Sequence, residues 1–207
     1  MNQPRSFVLN GGPQSGKSTL FRLLEEALGR QLLYYPEVAS VLLGDLWPTV
    51  NREASYHPAW VRTLQRGIFH TQRGLEELAQ AVAAADNIPL IGHDRGVFDN
   101  AGYLGVTGRE LAKYFGESFD GLMSNYDLVI HLDTLATINP AAFGNDTNAT
   151  RYETPEEAVL LDERIWNAYE GHPHHVRIPA TDDFSEKIST VFELITALCP
   201  TLAASLT

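Results

Sequence analysis

A glycine-rich stretch near the amino terminus has the residue types and spacing of a phosphate-binding loop. Residues 11–18 are GGPQSGKS, a glycine followed by four residues and then by glycine, lysine and serine. In such a loop the backbone N–H groups turn inward around phosphate oxygens, and the positive end of the following helix faces the same anion. We expect Lys17 to act on the β- and γ-phosphates and the Ser18 hydroxyl to bind Mg²⁺. The predicted nucleotide-binding residues of this loop are Gly11, Gly12, Pro13, Gln14, Ser15, Gly16, Lys17, Ser18 and Thr19.

A phosphate-binding loop also needs a carboxylate for the metal ion and a group that orients the nucleophile. Two short apolar runs end in an acid, Asp94 in one and Asp133 in the other, and either fits the metal site. We favour Asp94 for metal binding and catalysis because Arg95 and Gly96 follow it directly. An acid, a fixed cation and a flexible turn then share the carboxyl end of a strand, where open α/β sheets bind ligands. The alternative for Asp94 is a helix N-cap, and for Asp133 a structural role is the favoured interpretation.

Glu37 and Arg151 are two further candidates for the chemistry. Glu37 follows another apolar run, so we expect it at the same rim of the sheet, as a general base or as a ligand of a magnesium-bound water. The alternative is a first-turn helix acid favoured by the macrodipole. Arg151 follows a loop of small polar residues, and an arginine on such a lid stabilises charge on transferring phosphates. The alternative for Arg151 is an ordinary surface arginine.

The histidines and the single cysteine give weaker signals. His172, His174 and His175 lie close together, but Pro173 interrupts them and no matching cysteine or carboxylate set accompanies them, so we do not expect a metal site there. His93 and His131 fall inside predicted strands, and we interpret them as hydrogen-bonded core residues. Cys199 has no catalytic partner nearby in the sequence, and we treat it as inert.

Composition and charge exclude several classes of function. The 207 residues carry 15 basic and 26 acidic side chains, a formal net charge of −11, which repels nucleic acid and anionic membrane surfaces. Apolar runs are too short for a signal peptide or a membrane span, so we expect a cytoplasmic protein without a membrane or nucleic-acid partner. Only three of the basic residues are lysines, so each lysine position invites an explanation. They are Lys17, Lys113 and Lys187.

The elements that must position these residues alternate between strands and helices. Five short apolar runs predict the strands of a mostly parallel sheet: Ser6–Asn10, Leu32–Tyr35, Ile88–His93, Leu128–Leu132 and Val176–Ile178. Helical spacing of apolar residues predicts four helices: Lys17–Leu28, Trp60–Ala85, Pro155–Tyr169 and Asp183–Leu198. We expect one domain over residues 1–200, a mobile lid at about 139–153, and a frayed tail at 201–207.

Several motifs taken together resemble a known family. Besides the glycine-rich loop they are Pro36-Glu37-Val38-Ala39, Gln72-Arg73, Asp94-Arg95-Gly96 with Asp99 and Tyr103, and the segment from Arg151 to Ala158 followed by Tyr169, Gly171 and His172. In this order they are similar to the small P-loop family of AAA-labelled proteins with a nucleoside-kinase-like core, close to the ribosylnicotinamide kinase domain. The resemblance covers the chain from about Phe7 to Leu194.

The resemblance implies a three-layer α/β P-loop fold with a five-stranded parallel sheet in the order 2-3-1-4-5. It also implies that Asp94 lies beside the P-loop strand and that Arg95 faces phosphates or substrate. Glu37 and Gln72 then border the acceptor pocket, with Arg95 as a further substrate-binding residue, and Arg151 belongs to the lid. The turn at Pro179 and Ala180 packs by the nucleotide base.

The function expected from these motifs is ATP- and Mg²⁺-dependent phosphoryl transfer to a hydroxyl of a small, nucleoside-like acceptor. The alternative is a nucleotide-binding regulatory or switch protein that hydrolyses ATP or GTP slowly. The chain contains no Asn-Lys-x-Asp motif for guanine, which favours ATP. The identity of the acceptor and the oligomeric state, a homo-oligomer included, stay open at this point.

Overall fold

The computed structural model of the chain describes residues 3–43, 57–143 and 153–205. Strands from these residues form one parallel sheet in the order β2-β3-β1-β4-β5. They are β1 (Arg5–Asn10), β2 (Leu32–Tyr35), β3 (Leu90–Asp94), β4 (Leu128–Leu132) and β5 (His175–Ile178). The α/β class and the strand order are confirmed. The central strands β1, β3 and β4 are almost entirely buried, as expected for parallel strands covered on both faces.

Helices connect the strands and cover both faces of the sheet. They are α1 (Lys17–Leu28), α2 (Val38–Val41), α3 (Pro58–Asp86), α4 (Asp99–Leu104), α5 (Gly108–Phe115), α6 (Phe119–Met123), α7 (Pro155–Ala168) and α8 (Phe184–Leu198). The four predicted helices agree with α1, α3, α7 and α8 to within two residues at each end. The short helices α4, α5 and α6 were not predicted. Among the described residues, no helix is long and apolar enough to cross a membrane.

The alternation of side chains along β1 divides the core into two layers. Phe7 and Leu9 point to one face, where they pack with Leu20 and other apolar residues of α1 and α8. Val8 points to the opposite face and packs in a cluster that includes Phe69 of α3 and Tyr169 beyond α7. Because successive strand residues face opposite sides, one strand anchors both helical layers.

The carboxyl-terminal segment differs from our expectation of a frayed tail. Pro200–Ser205 form a 3₁₀ helix, and Leu202 is fully buried in the same cluster as Phe7. The Gln31 side-chain amide donates a hydrogen bond to the Ser205 hydroxyl at 3.0 Å. The prediction was wrong for residues 201–205 because a single leucine fills a gap in the core. Residues 206–207 lie outside the described part.

The expected lid falls mostly outside the described residues, and Arg151 falls there with it. At its amino-terminal side, Pro140–Ala142 form a 3₁₀ turn whose preceding residue, Asn139, accepts a hydrogen bond from the Ala142 N–H. At its carboxyl-terminal side, α7 begins with a capping box. Thr154 accepts the Glu157 N–H and Glu157 accepts the Thr154 N–H.

Candidate active site

The glycine-rich loop turns tightly between β1 and α1 at the carboxyl edge of the sheet. Gly11 has a φ of +132°, and a Cβ atom built there would lie 2.1 Å from the carbonyl oxygen of Leu132. Gly16 has a φ of +97° and immediately precedes α1. Only glycine tolerates both the close approach at residue 11 and the left-handed backbone. The two glycines therefore fix the shape of the loop that the motif predicted.

The amino end of α1 presents its N–H groups to this loop. Within the described part of the chain, no side chain caps the helix at Gly16. The first-turn N–H groups of a helix have no intrahelical partners, and the helix dipole adds partial positive charge there. Ser18 and Thr19 lie exposed on the same turn. This end of α1 is therefore arranged to bind an anion, and the Ser18 hydroxyl is accessible to a metal ion.

Lys17 lies in the centre of the loop. Its ammonium donates hydrogen bonds at 3.0 Å to the carbonyls of Gly11 and Gly12 and to the Ser15 hydroxyl. The side chain is buried although it is charged. A buried ammonium held by several acceptors is a fixed point charge, which suits the predicted role of Lys17 on phosphates.

A second lysine supports the loop from outside. The Lys187 ammonium on α8 donates to the carbonyl oxygen of Ser15 at 3.3 Å and to that of Asp133 at 3.2 Å. Burial lowers the pKa of Lys187, against the opposing effect of Asp133. Our sequence analysis gave Lys187 no role. The scarcity of lysine was the available signal, since two of the three lysines contact this loop.

Side chains from the later half of the chain hold the outer side of the loop. The Gly12 N–H donates to the Asp162 carboxylate on α7 at 2.5 Å, and the Thr134 hydroxyl donates to the Pro13 carbonyl at 2.5 Å. Asp162 and Gly12 are 150 residues apart in the sequence. No local pattern predicts such a contact, and the sequence analysis missed Asp162.

Arg95 connects the loop to the acidic side chains. Its guanidinium donates to Glu37 at 2.5 Å, to Asp99 at 3.1 Å and to the Gly11 carbonyl at 3.1 Å. The residue is buried and stacks at 5.7 Å over the Tyr103 ring. Glu37 and Arg95, both predicted for the site, are therefore brought together beside the P-loop.

The backbone at Arg95 is strained. Its φ is +72°, in the left-handed region that residues with a side chain rarely adopt, and its N–H donates to the Leu9 carbonyl at 3.2 Å. The three side-chain hydrogen bonds and this backbone bond hold the conformation. Such strain costs on the order of 1–3 kcal/mol and is concentrated at functional sites.

Glu37 carries a full negative charge in this arrangement. Burial alone would raise its pKa, but the Arg95 guanidinium, the Ser40 hydroxyl and Lys17 lower the pKa of Glu37 to about 2. The Ser40 hydroxyl donates to the second carboxylate oxygen at 2.6 Å. Glu37 is thus an ionised hydrogen-bond acceptor at neutral pH.

Asp94 has an environment that suits a metal ligand. It is 4 % exposed, and its Oδ1 atom has no hydrogen-bond partner among the described residues. Burial raises the pKa of Asp94, the nearby Lys17 and Arg95 oppose this, and Glu37 adds to it. A cation near the free oxygen would offset the cost of burying this carboxylate. Asp94 and the exposed Ser18 hydroxyl are both oxygen ligands of the kind Mg²⁺ takes, so the residues fit the predicted ion.

Gln72 lies next to a residue that the sequence analysis did not single out. The Gln72 side-chain oxygen accepts a hydrogen bond from the Asn100 amide at 2.8 Å, and both residues are 2 % exposed. The adjacent Asp99 accepts a hydrogen bond from the Tyr169 hydroxyl at 2.8 Å. The buried Gln72–Asn100 pair therefore lies next to Asp99, whose carboxylate accepts a hydrogen bond from Arg95.

The turn after β5 lies on the other side of the loop. Pro179 is exposed and Ala180 is half-buried between β5 and α8. The first residue of α8, Phe184, packs so closely on Gly16 that a Cβ atom there would lie 2.5 Å from the ring. The contact of Pro179 and Ala180 with a nucleotide base stays a prediction.

The sequence matches a known protein family. A family model described as an AAA domain matches residues 6–187. The chain belongs to this family. The matched region of the AAA-domain protein contains the glycine-rich loop, Glu37, Gln72, Asp94 and Arg95.

A solved structure supports the fold of the AAA-domain protein. The deoxyadenosine kinase from M. mycoides with bound dATP is similar to it with a TM-score of 0.60 and 15% sequence identity, over 93% of this chain and 99% of that one. At this identity the likeness establishes the P-loop, nucleoside-kinase-like fold. Among curated proteins, none matches the sequence.

Proposed function

We propose that this protein transfers the γ-phosphoryl group of ATP, with Mg²⁺, to a hydroxyl of a small nucleoside-like acceptor. The observation that carries the proposal is the Glu37–Arg95 ion pair, whose guanidinium also contacts the P-loop carbonyl of Gly11. A carboxylate and a fixed cation beside a phosphate-binding loop are the groups that phosphoryl transfer to a hydroxyl requires. The kinase-like fold of the deoxyadenosine kinase gives the same arrangement of layers.

The donor side is formed by the loop and the first turn of α1. The N–H groups of this segment and the Lys17 ammonium bind the β- and γ-phosphates of ATP, and Asp94 and Ser18 hold Mg²⁺. The bound ion neutralises charge on the phosphate oxygens. Arg95 stabilises the charge that develops on the transferring group, because a guanidinium is planar and stays protonated. Arg151, outside the described residues, is the proposed lid arginine.

The acceptor side is formed by Glu37. Its carboxylate accepts a hydrogen bond from the attacking hydroxyl and orients that oxygen towards the γ-phosphorus. Its pKa of about 2 makes it a weak base, chiefly because Arg95 is its partner. When the Arg95 guanidinium turns towards the phosphates, Glu37 loses part of this stabilisation and its basicity rises. Donor binding thereby prepares the base.

The ring of the acceptor binds near Gln72 and Asn100. The Asn100 side-chain oxygen is buried and has no hydrogen-bond partner among the described residues. A heterocycle with adjacent donor and acceptor atoms satisfies a carboxamide in this position. The deoxyadenosine kinase has dATP bound, and the sequence motifs resemble the ribosylnicotinamide kinase domain, so purine nucleosides and ribosylnicotinamide are the first acceptors to test.

The test is acceptor-dependent ADP formation. Purified protein is mixed with ATP and Mg²⁺ and with deoxyadenosine, adenosine, other nucleosides or ribosylnicotinamide, one at a time, and ADP and the phosphorylated acceptor are measured. We expect ADP and product in equal amounts with at least one acceptor, and none with the Lys17→Ala variant. Slow ADP release that no acceptor stimulates contradicts the kinase and supports the nucleotide switch.

A further inference from the structure

Three side chains outside the proposed catalytic cluster bring metal-ligand atoms together. His131 is in β4, Asp133 follows that strand, and Asp162 lies on α7. One ligand atom from each of them lies within 4.8 Å of the other two. The His131 and Asp162 side chains are 0 % and 1 % exposed, whereas Asp133 is 14 % exposed. The cluster is therefore buried but can be reached by a small ion beside Asp133.

Two atoms of this cluster lack hydrogen-bond partners in the described part of the chain. They are His131 Nε2 and Asp162 Oδ2, both fully buried. They face each other at 3.4 Å, which is within ion-pair distance but longer than the ~2.7–3.2 Å usual for a hydrogen bond between nitrogen and oxygen. Buried polar atoms are nearly always satisfied, so two of them facing each other need an explanation.

The spacing of the ligand atoms fits a shared metal ion better than a hydrogen bond. In a tetrahedral zinc site with bonds of about 2.0–2.2 Å, neighbouring ligand atoms lie about 3.3–3.6 Å apart. The Nε2 atom of His131 is 3.4 Å from Asp162 and 3.8 Å from Asp133. One imidazole and two carboxylates suit zinc and its neighbours in the first transition row, whereas Mg²⁺ prefers oxygen ligands alone.

We propose that His131, Asp133 and Asp162 form a binding site for Zn²⁺ or a similar divalent transition-metal ion, with water as the fourth ligand. This site is separate from the proposed magnesium site at Asp94 and Ser18. The Asp162 carboxylate also accepts the Gly12 N–H of the P-loop through its other oxygen. An ion on Asp162 therefore links α7, β4 and the phosphate-binding loop at one point.

Arg177 competes with the ion for the same carboxylates. Its Nε donates to Asp133 at 2.6 Å, and its Nη2 lies 3.9 Å from Asp162. The guanidinium is bound at the same time to Glu163. Arg177 can therefore release Asp133 and keep Glu163 as its partner when the ion binds. Removal of the guanidinium should strengthen metal binding, because one positive charge leaves the immediate surroundings of the ion.

The first experiment is calorimetric titration of the full chain with ZnCl₂. We expect one ion per chain, and an affinity at least about tenfold lower in the His131→Gln variant, which loses one of three ligands. The matched controls are His174→Gln and His175→Gln, which remove neighbouring histidines outside the cluster and should bind zinc as the wild type does. Absence of binding, or loss of binding in a control but not in His131→Gln, overturns the proposal.

The second experiment uses Arg177→Gln and does not depend on the folding of a ligand variant. We expect its affinity for zinc to rise about tenfold. With CoCl₂ as the probe, quenching of Trp166 fluorescence reports binding, since the Trp166 ring centroid is 5.5 Å from that of His131. In Trp166→Phe, the decrease in fluorescence on addition of CoCl₂ should be absent. Unchanged or weaker metal affinity in Arg177→Gln overturns the competition, and with it the site.

Discussion

The Glu37 carboxylate and the Arg95 guanidinium form a hydrogen-bonded ion pair at 2.5 Å, although 58 residues separate them in the chain. Glu37 follows β2 and Arg95 follows β3, two neighbouring strands whose carboxyl ends lie at the same edge of the sheet. The pair therefore results from the strand order. Arg95 also contacts the P-loop carbonyl of Gly11, so the pair lies beside the loop that is proposed to bind the phosphates.

Replacing Glu37 with glutamine should lower kcat by about 10²–10⁴-fold with little change in the Kd for ATP. Glutamine retains the shape and can still accept a hydrogen bond from Arg95, but it cannot take the proton of the acceptor hydroxyl. The measurement is steady-state ADP formation with the best acceptor, together with calorimetric ATP binding. Ser40→Ala is the matched control, because it removes a hydrogen bond to Glu37 and keeps the carboxylate. Wild-type kcat in Glu37→Gln would rule out the proposed base.

Replacing Lys17 with alanine should weaken binding of ATP with Mg²⁺ by at least about tenfold, since the phosphates lose a charge-assisted hydrogen bond. Circular dichroism should show that the fold is intact. Lys113→Ala is the control, because Lys113 is exposed on α5 and away from the loop. Equal ATP affinity in Lys17→Ala and the wild type would contradict nucleotide binding by this loop.

Local sequence patterns were sufficient for the elements with regular side-chain periodicity. Both ends of α1 and β2 were predicted, because the apolar spacing of Lys17–Leu28 stops at Gly29 and Leu32–Tyr35 is apolar throughout. The short helices were missed because they contain too few residues to show a regular apolar spacing. Asp99–Leu104 has six residues and contains a glycine, which is too short for a periodic signal.

Contacts between distant segments could not be read from local patterns. The P-loop was recognised from its own residues, but Asp162, which accepts its Gly12 N–H, comes from a helix 150 residues later. The pairing of Gln72 with Asn100 likewise depends on how α3 crosses α4. His131 is a buried, hydrogen-bonded core residue as expected, since its Nδ1 atom bonds Asn10 Oδ1 at 3.0 Å. The approach of Asp162 to its Nε2 atom could not be predicted, because Asp162 comes from a distant helix.

Replacing Gly11 with alanine should destabilise the protein by about 3 kcal/mol and weaken ATP binding. The new Cβ atom would lie 2.1 Å from the backbone of Leu132, at a φ of +132° that alanine avoids. The loss of stability is measured by urea unfolding, with circular dichroism as the signal. Gly74→Ala provides the contrast, because Gly74 lies inside α3 with nothing within 4 Å, and alanine there should stabilise by up to about 1 kcal/mol. A Gly11→Ala protein as stable as the wild type would contradict the described loop.

Replacing Gln72 with leucine should raise the KM for the acceptor by about tenfold or more and leave the KM for ATP unchanged. The substitution removes the carboxamide oxygen that accepts from Asn100 and leaves buried polar atoms without partners. The KM values are measured by varying one substrate at a time. Gln80→Leu, eight residues further along α3, is the control and should behave as the wild type. A change in the KM for ATP alone would contradict the assignment of Gln72 to the acceptor pocket.

The contribution of Glu76 to the stability of the protein should fall as pH rises from 5 to 8. This carboxyl group on α3 is 4 % exposed and accepts hydrogen bonds from the Tyr126 hydroxyl and from Arg73. Burial raises the pKa of Glu76 to about 7, although those hydrogen bonds oppose the shift. The folded state thus binds the proton more tightly than the unfolded chain, whose pKa is near 4.5. The stabilisation is complete below pH 4.5 and is lost as pH rises through about 7.

Comparison of Glu76→Gln with the wild type isolates this contribution from that of other groups. One of them is His93, whose pKa burial lowers to about 4, so that its contribution to stability rises with pH. Glutamine is neutral at every pH and can still accept from Tyr126. The variant should therefore match the wild type at pH 5 and exceed it by roughly 3 kcal/mol at pH 8, as the free energy of urea unfolding. The carboxyl group lines a cavity of about 660 Å³ that also reaches Asp127, which gives protons a route from solvent. Glu77 is an exposed neighbour, and the free energy of unfolding of Glu77→Gln should change with pH as that of the wild type does. If the unfolding free energy of Glu76→Gln depended on pH as that of the wild type does, Glu76 would already be ionised in the folded protein below pH 5, and the prediction would be wrong.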